Sequence, residues 1–125
     1  MHLITADAAP PAGGHYSHAV RANGFLFLAG QLPVRPDGGP MAQTVEGQTR
    51  QVLANISAVL ESCGATLADV VSATVYVSDI GHWPEVNRAY AEAFGAHKPA
   101  RTVAVTPALH YGCHVEIQVI AQARG

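Results

Sequence analysis

The sequence contains little charge of either sign. Charged residues make up 13% of its 125 positions, about half of the ~25% found in ordinary globular chains. Lys and Arg together number seven, and the net charge is −2 with neutral histidines. The chain therefore lacks the basic stripe that binding to a phosphate backbone requires. A surface this poor in charge is typical of a protein that is partly covered by other subunits.

The sequence also lacks cross-linking and targeting features. Its two cysteines, Cys63 and Cys113, match no zinc or redox spacing and fit reduced thiols. The first residues have neither the basic start nor the apolar core of a signal peptide. No apolar run approaches membrane-spanning length. These absences predict a soluble, cytoplasmic protein with one domain over residues 1–125.

The first third of the chain predicts an arm and a β-hairpin. Residues 1–14, which are rich in Pro and Gly, indicate an extended arm. Asn23-Gly24 separates two strand-like runs, 15–22 and 25–31, and Asn-Gly favours a tight hairpin turn because both residues tolerate positive φ. The run FLFLAG within the second strand is apolar at every position, which predicts a strand buried on both faces.

The remaining elements follow from periodicity. The sequence predicts helices over 44–63 and from about Pro84, and strands over 70–77, 101–105 and 113–121. The order β-β-α-β-α-β-β predicts an α+β fold with both helices on one side of a sheet. Because two helices cover only one face of the sheet, we expect the other face to contact another subunit.

Arg101 and Glu116 are the candidate site residues that this pattern brings forward. A hairpin between the last two strands would bring them near each other. The planar guanidinium of Arg101 suits a bidentate hold on a carboxylate, and Glu116 could handle a water molecule or a proton. The alternative to a functional site is that Arg101 and Glu116 form an ion pair with each other at a subunit interface.

Other polar and aromatic residues give weaker signals. Four histidines near predicted strand ends make a metal site conceivable, but their spacing follows no known ligand pattern; they are His15, His18, His110 and His114. Cys113 fits a buried residue better than a nucleophile. Trp83, Tyr90 and Phe94 fit core or interface positions, whereas Tyr16 follows the Gly-rich arm where a site could form.

The order and spacing of seven segments resemble the reactive intermediate deaminase (Rid, YjgF-like) family from about residue 16 to residue 121. The segments are HYSHAV, FLFLAGQLP, QVLANISAVLESCGATLADVV, TVYVSDI, VNRAYAEAF, PARTVAV and VEIQVIA. The resemblance implies a chorismate-mutase-like fold and a homotrimer whose sheets form a central barrel, with ligand clefts between subunits. It also implies hydrolysis of 2-imino or 2-enamino acids to 2-keto acids and ammonia, with no cofactor and no metal.

The resemblance assigns roles to particular residues. Arg101 matches the arginine that binds the substrate carboxylate. The backbone carbonyl of Arg101 matches the carbonyl that contacts the imine nitrogen. Glu116 matches the acid that orients water. Tyr16 and Gly30 match residues that line the cleft, and Asn87 matches a structural asparagine.

The chain departs from the family pattern at three positions, Ala29, Val103 and His110, where many members have Ser, Cys and Pro. Val103 falls at a substrate-binding position and His110 in a loop expected to line the cleft, so the substrate is left open. A 2-aminomuconate-type enamine deaminase, a non-catalytic trimer that binds small carboxylates, and an endoribonuclease are the alternatives. The acidic net charge argues against the last, and no membrane partner is predicted.

Overall fold

The computed structural model describes residues 1–124 and contains six strands and two helices in one domain. The strands are β1 (His2–Ile4), β2 (Ala19–Ala22), β3 (Phe25–Leu28), β4 (Val70–Val77), β5 (Ala100–Val105) and β6 (Val115–Gln122), and the helices are α1 (Val45–Ser62) and α2 (Trp83–Phe94). The predicted order of the main elements is confirmed. The prediction for the arm was incomplete, because β1 lies within it and pairs antiparallel with β2.

The strands form a single mixed sheet in the order β1-β2-β3-β6-β4-β5. β4 and β5 are parallel, and the other neighbours are antiparallel. The predicted hairpin between the last two strands was therefore wrong. A parallel pair needs a crossover, and α2 supplies it between β4 and β5. β6 does not pair with β5; it lies between β4 and β3.

Both helices pack on the same face of the sheet, as predicted. Thr44 caps α1 by accepting a hydrogen bond from the backbone of Gly47 at 3.0 Å. Gly64 follows the helix with φ +76°, a conformation that costs glycine little. The apolar stripe of α1 and the buried side of α2 form one core with alternate residues of β3, β4 and β6.

The opposite face of the sheet, here called the outer face, is not covered by any helix. In β3, Leu26 and Leu28 point into the core, but Phe25 and Phe27 remain 40% and 42% exposed. The prediction of a strand buried on both faces was thus wrong for the single chain. Val71 of β4 adds another exposed apolar side chain. An apolar outer face of this kind is typical of a surface that another protein covers.

The N-terminal arm is held against the sheet by a buried histidine. His18 accepts a hydrogen bond from the backbone N–H of Ala6 at its Nδ1 (2.9 Å), and its Nε2 lies 2.7 Å from the carbonyl oxygen of Pro10. An accepting Nδ1 requires a neutral ring with the proton on Nε2, which donates to Pro10. His18 therefore fixes the part of the arm that precedes Gly13 and Tyr16.

Candidate active site on the outer face

A cavity of about 420 Å³ opens between the arm, the segment after β3 and the start of β6. Its wall combines small residues, two tyrosines, a histidine and a glutamate. The lining residues are Gly13, Gly14, Tyr16, Ala29, Gly30, Leu32, His110, Tyr111 and Glu116. Three predicted site residues, Tyr16, Gly30 and Glu116, therefore meet here.

The segment after β3 is held by a backbone bridge at Gln31 and by the buried side chain of Asn55. Gln31 is 6% exposed and makes an isolated β-bridge to β6, donating its N–H to the carbonyl of Ile117 at 2.8 Å. Asn55 of α1 donates through its side-chain amide to the carbonyl oxygens of Leu32 and Val34, at 3.0 and 2.8 Å. These bonds bring Gly30 beside the residue that precedes Ile117, which is Glu116.

Gly30 leaves room for the carboxylate of Glu116. A Cβ atom at position 30 would overlap Glu116 Oε2, although the backbone of Gly30 itself is not in the left-handed region. The glycine is therefore required by space and not by φ. Glu116 is half-buried, and this burial raises its pKa above the ordinary value for a glutamate, while the positive charge of His110 partly opposes the shift. A carboxylate in such surroundings is suited to accept a proton from water.

Replacing Glu116 by Gln should stabilise the fold at neutral pH. Because the folded pKa of Glu116 is raised, ionised Glu116 destabilises the folded state above the unfolded pKa of about 4.3, and protonation removes this cost as the pH falls. We expect Glu116→Gln to raise the Tm by a few degrees at pH 7 to 8, and to have little effect below about pH 4. Thermal unfolding across this range measures the difference.

The exposed Glu61 supplies the control, since Glu61→Gln should leave the pH dependence of the Tm as in the wild type. A Glu116→Gln variant that is less stable than the wild type at pH 8 would contradict this expectation. It would show that the ionised carboxylate stabilises the folded state and that its burial does not destabilise it.

Two tyrosines frame the cavity. The hydroxyl of Tyr16 accepts a hydrogen bond from the backbone of Gly13 at 3.2 Å, which ties its ring to the arm. Tyr111 has φ +62° and ψ +17°, a left-handed conformation that is uncommon for a bulky residue. Such backbone strain concentrates at functional sites.

Arg101 is the second residue of β5 and does not line this cavity. Its Nη1 donates to Asn87 Oδ1 at 3.0 Å, and its guanidinium carbon lies 4.6 Å from the ring centre of Trp83 and 4.9 Å from that of Tyr90. These contacts hold the cation in an orientation that leaves it exposed. Burial raises the pKa of Tyr90, and the charge of Arg101 opposes that shift.

Arg101 and Glu116 point to opposite faces of the sheet. Arg101 pairs in register with Ala73, a core residue of β4, whereas Glu116 pairs with Tyr76, whose side chain lies on the outer face. Val103 shares the face of Arg101 and packs against the core. The two candidate residues therefore cannot act on one small molecule within a single chain.

The histidines and cysteines of the described residues do not form a metal site or a reactive thiol site. His18 has both ring nitrogens engaged, and His114 Nδ1 lies 3.2 Å from Ser78 Oγ. Within residues 1–124, no three His, Cys, Asp or Glu side chains form a group that could hold a metal ion. Cys113 is buried as predicted, and its pKa is raised by that burial, so the thiol is not poised for attack. Among the same residues, no helix is long and apolar enough to span a bilayer.

Sequence reasoning missed three groups that build the site. Gln31 and Asn55 are buried, and only the folded contacts show that the backbone of Gln31 bonds to Ile117 and that the side chain of Asn55 bonds to the carbonyls of Leu32 and Val34. The strained backbone of Tyr111 could have been suspected from the neighbouring Gly112, which also has a positive φ of 65°.

The fold and the site define a small α+β protein with a cavity of about 420 Å³ on a sheet face that no helix covers. Residues 6–123 match the family model described as Endoribonuclease L-PSP. A RutC family protein of Pyrococcus horikoshii is 42% identical over 120 residues, 95% of each chain. Reactive Intermediate Deaminase A of Arabidopsis thaliana, a chloroplastic protein, is 38% identical over 120 residues, 95% of this chain and 64% of that one.

Solved structures agree with the fold. A Rid family protein of Yersinia pestis, YyfA, has 41% identity and a TM-score of 0.93 over 98% of both chains. Escherichia coli TdcF with bound serine has 29% identity and a TM-score of 0.93 over 100% of both. The chain belongs to the Rid (YjgF/RutC) family.

Proposed function

We propose that this protein hydrolyses small 2-imino or 2-enamino acids to 2-keto acids and ammonia, in a homotrimer whose sites lie between subunits. Glu116 beside Gly30 in the outer-face cavity is the observation that carries the proposal. The similarity to a named reactive intermediate deaminase supports the same reaction.

The separation of Arg101 from the cavity that holds Glu116 supports a site between subunits. Arg101 is an exposed cation on the edge strand β5, and Glu116 lies in a cavity on the outer face. A second copy that covers the exposed side chains of Phe25, Phe27 and Val71 could bring its Arg101 to this cavity. Covering these side chains would also remove apolar surface from water.

The chemistry requires little beyond positioning. An imine carbon is already electrophilic, so holding the substrate and activating water supply most of the catalysis. Arg101 stays charged at all physiological pH values and would clamp the substrate carboxylate through two N–H donors. Glu116 would accept a proton from the attacking water, for which its raised pKa is suited.

Replacing Arg101 by Ala should abolish most of the activity. An amino-acid oxidase generates 2-imino acids in situ, and semicarbazide traps the imine that remains. We expect wild-type protein to accelerate imine loss and Arg101→Ala to lower kcat/KM by about a hundredfold or more, because hydrogen bonds between charged groups are lost. Arg101→Lys should recover only part of it, since an ammonium lacks the planar fork.

Arg35→Ala is the matched control. Arg35 is exposed, is paired with Asp37 at 2.6 Å and is not among the residues that line the cavity, so this variant should retain wild-type turnover. Full activity in Arg101→Ala would contradict the proposed carboxylate clamp.

Binding without turnover is the second candidate function. It is favoured by the structure of TdcF, a relative with bound serine, because serine carries a carboxylate but no imine. Wild-type protein that binds amino or keto acids in calorimetry, yet accelerates the loss of no imine, would favour this candidate.

The charges do not favour RNA cleavage, although the family description mentions an endoribonuclease. Four of the six arginines are paired with carboxylates, so their charge is locally neutralised; they are Arg35, Arg50, Arg88 and Arg124.

A further inference from the structure

His110 lies in the wall of the same cavity as Glu116. Its side chain is exposed, and its ring centre lies 6.0 Å from that of Tyr111. By contrast, three other histidines have ring nitrogens within hydrogen-bond distance of protein atoms; they are His18, His97 and His114. The imidazole of His110 is thus available to a molecule in the cavity.

The backbone holds His110 at this position. It begins a short 3₁₀ turn in which Gly112 N–H donates to the carbonyl of Leu109 and Cys113 N–H to that of His110, both at 3.3 Å. Tyr111 and Gly112 both have positive φ, so the chain reverses tightly before β6 begins. Because Glu116 follows on β6, the turn and the strand present the imidazole and the carboxylate to one space.

The charges around this pair are few. The ionisable side chains that line the cavity are Glu116 on β6, Tyr16 after the arm, and His110 and Tyr111 on the turn. His110 is close enough for its charge to act on Glu116. Glu116 is thus the only carboxylate in the lining, and His110 is the only imidazole there.

We infer that His110 is the proton donor to the substrate nitrogen, acting with Glu116 as the base for water. This inference rests on the proposed imine hydrolysis. A base and an acid on one cavity wall can complete both proton transfers of the reaction without a further group.

In the addition step, the water oxygen bonds to the imine carbon and gives a proton to Glu116. The C=N π pair moves to nitrogen, which takes a proton from the His110 imidazolium. In the collapse step, the hydroxyl of the carbinolamine gives its proton to neutral His110 as the C=O bond forms. The C–N bond breaks, and the departing nitrogen takes the proton held by Glu116. Both side chains return to their starting states, and one water is consumed for each ammonia released.

The test compares pH–rate profiles for imine loss in wild type and His110→Asn, with a protein-free blank at each pH. Asparagine can hydrogen-bond but cannot carry the proton. We expect wild type to show a bell-shaped profile, and His110→Asn to lose the basic limb with kcat lowered by about a hundredfold. His2→Asn, an exposed histidine on β1, should keep the wild-type profile.

Chemical rescue supplies a second readout. Added imidazole should raise the activity of His110→Gly severalfold and should not rescue Glu116→Gln. An unchanged profile in His110→Asn, with turnover intact, would overturn the role of His110 and leave the proposed function standing. Absence of imine turnover in the wild type would instead remove the proposed function and this inference together.

Discussion

A mixture of two inactive variants should recover about one quarter of the wild-type activity. Arg101 and Glu116 point to opposite faces of one sheet, so the proposed site would take Arg101 from one copy and Glu116 from its neighbour. When Arg101→Ala and Glu116→Gln subunits are unfolded together and refolded at equal concentrations, about one interface in four pairs an intact Arg101 with an intact Glu116. Imine loss measured before and after mixing gives the recovered fraction.

The control for this experiment replaces one partner by the double variant Arg101→Ala/Glu116→Gln. Mixing it with Arg101→Ala subunits forms no interface with both residues intact, and activity should stay at the level of the separate variants. If the first mixture also stays inactive while the refolded wild type recovers, the two residues do not complete one site across subunits.

Gly30→Ala should remove most of the activity while leaving the fold nearly as stable as the wild type. The new Cβ would collide with the carboxylate of Glu116, and this carboxylate is the far end of a side chain that can swing away. Moving it would displace the proposed base from the substrate, and even a shift of about 1 Å can cost about a hundredfold in rate. We expect kcat/KM to fall at least tenfold, with the Tm changed by only a few degrees.

Gly39→Ala is the matched control. Its Cβ would lie 3.0 Å from Asp37 Oδ1 and 3.1 Å from the guanidinium carbon of Arg35, again the ends of flexible side chains, but in the loop before α1. This variant should keep wild-type activity. A fully active Gly30→Ala would mean that Glu116 works from a position other than the one beside Gly30.

The sequence by itself determined the local elements and named the candidate site residues. Asn23-Gly24 predicted the hairpin, the apolar stripe before Gly64 predicted α1, and the β-branched run 70–77 predicted β4, because turn chemistry and side-chain period act within a few residues. The segments that resemble the Rid family also named Tyr16, Gly30 and Glu116, which the fold brings into one cavity.

Only the tertiary structure decided how these pieces meet. Nothing in the local pattern of β5 and β6 specifies a partner strand. The α2 crossover made β5 parallel to β4, and the tertiary packing placed β6 between β4 and β3 and left β5 at the edge of the sheet. That pairing puts Arg101 and Glu116 on opposite faces. The exposure of Phe25 and Phe27 was also decided by the tertiary structure. Whether an apolar residue is buried depends on which layers pack over it, and here both helices pack on the other face of the sheet.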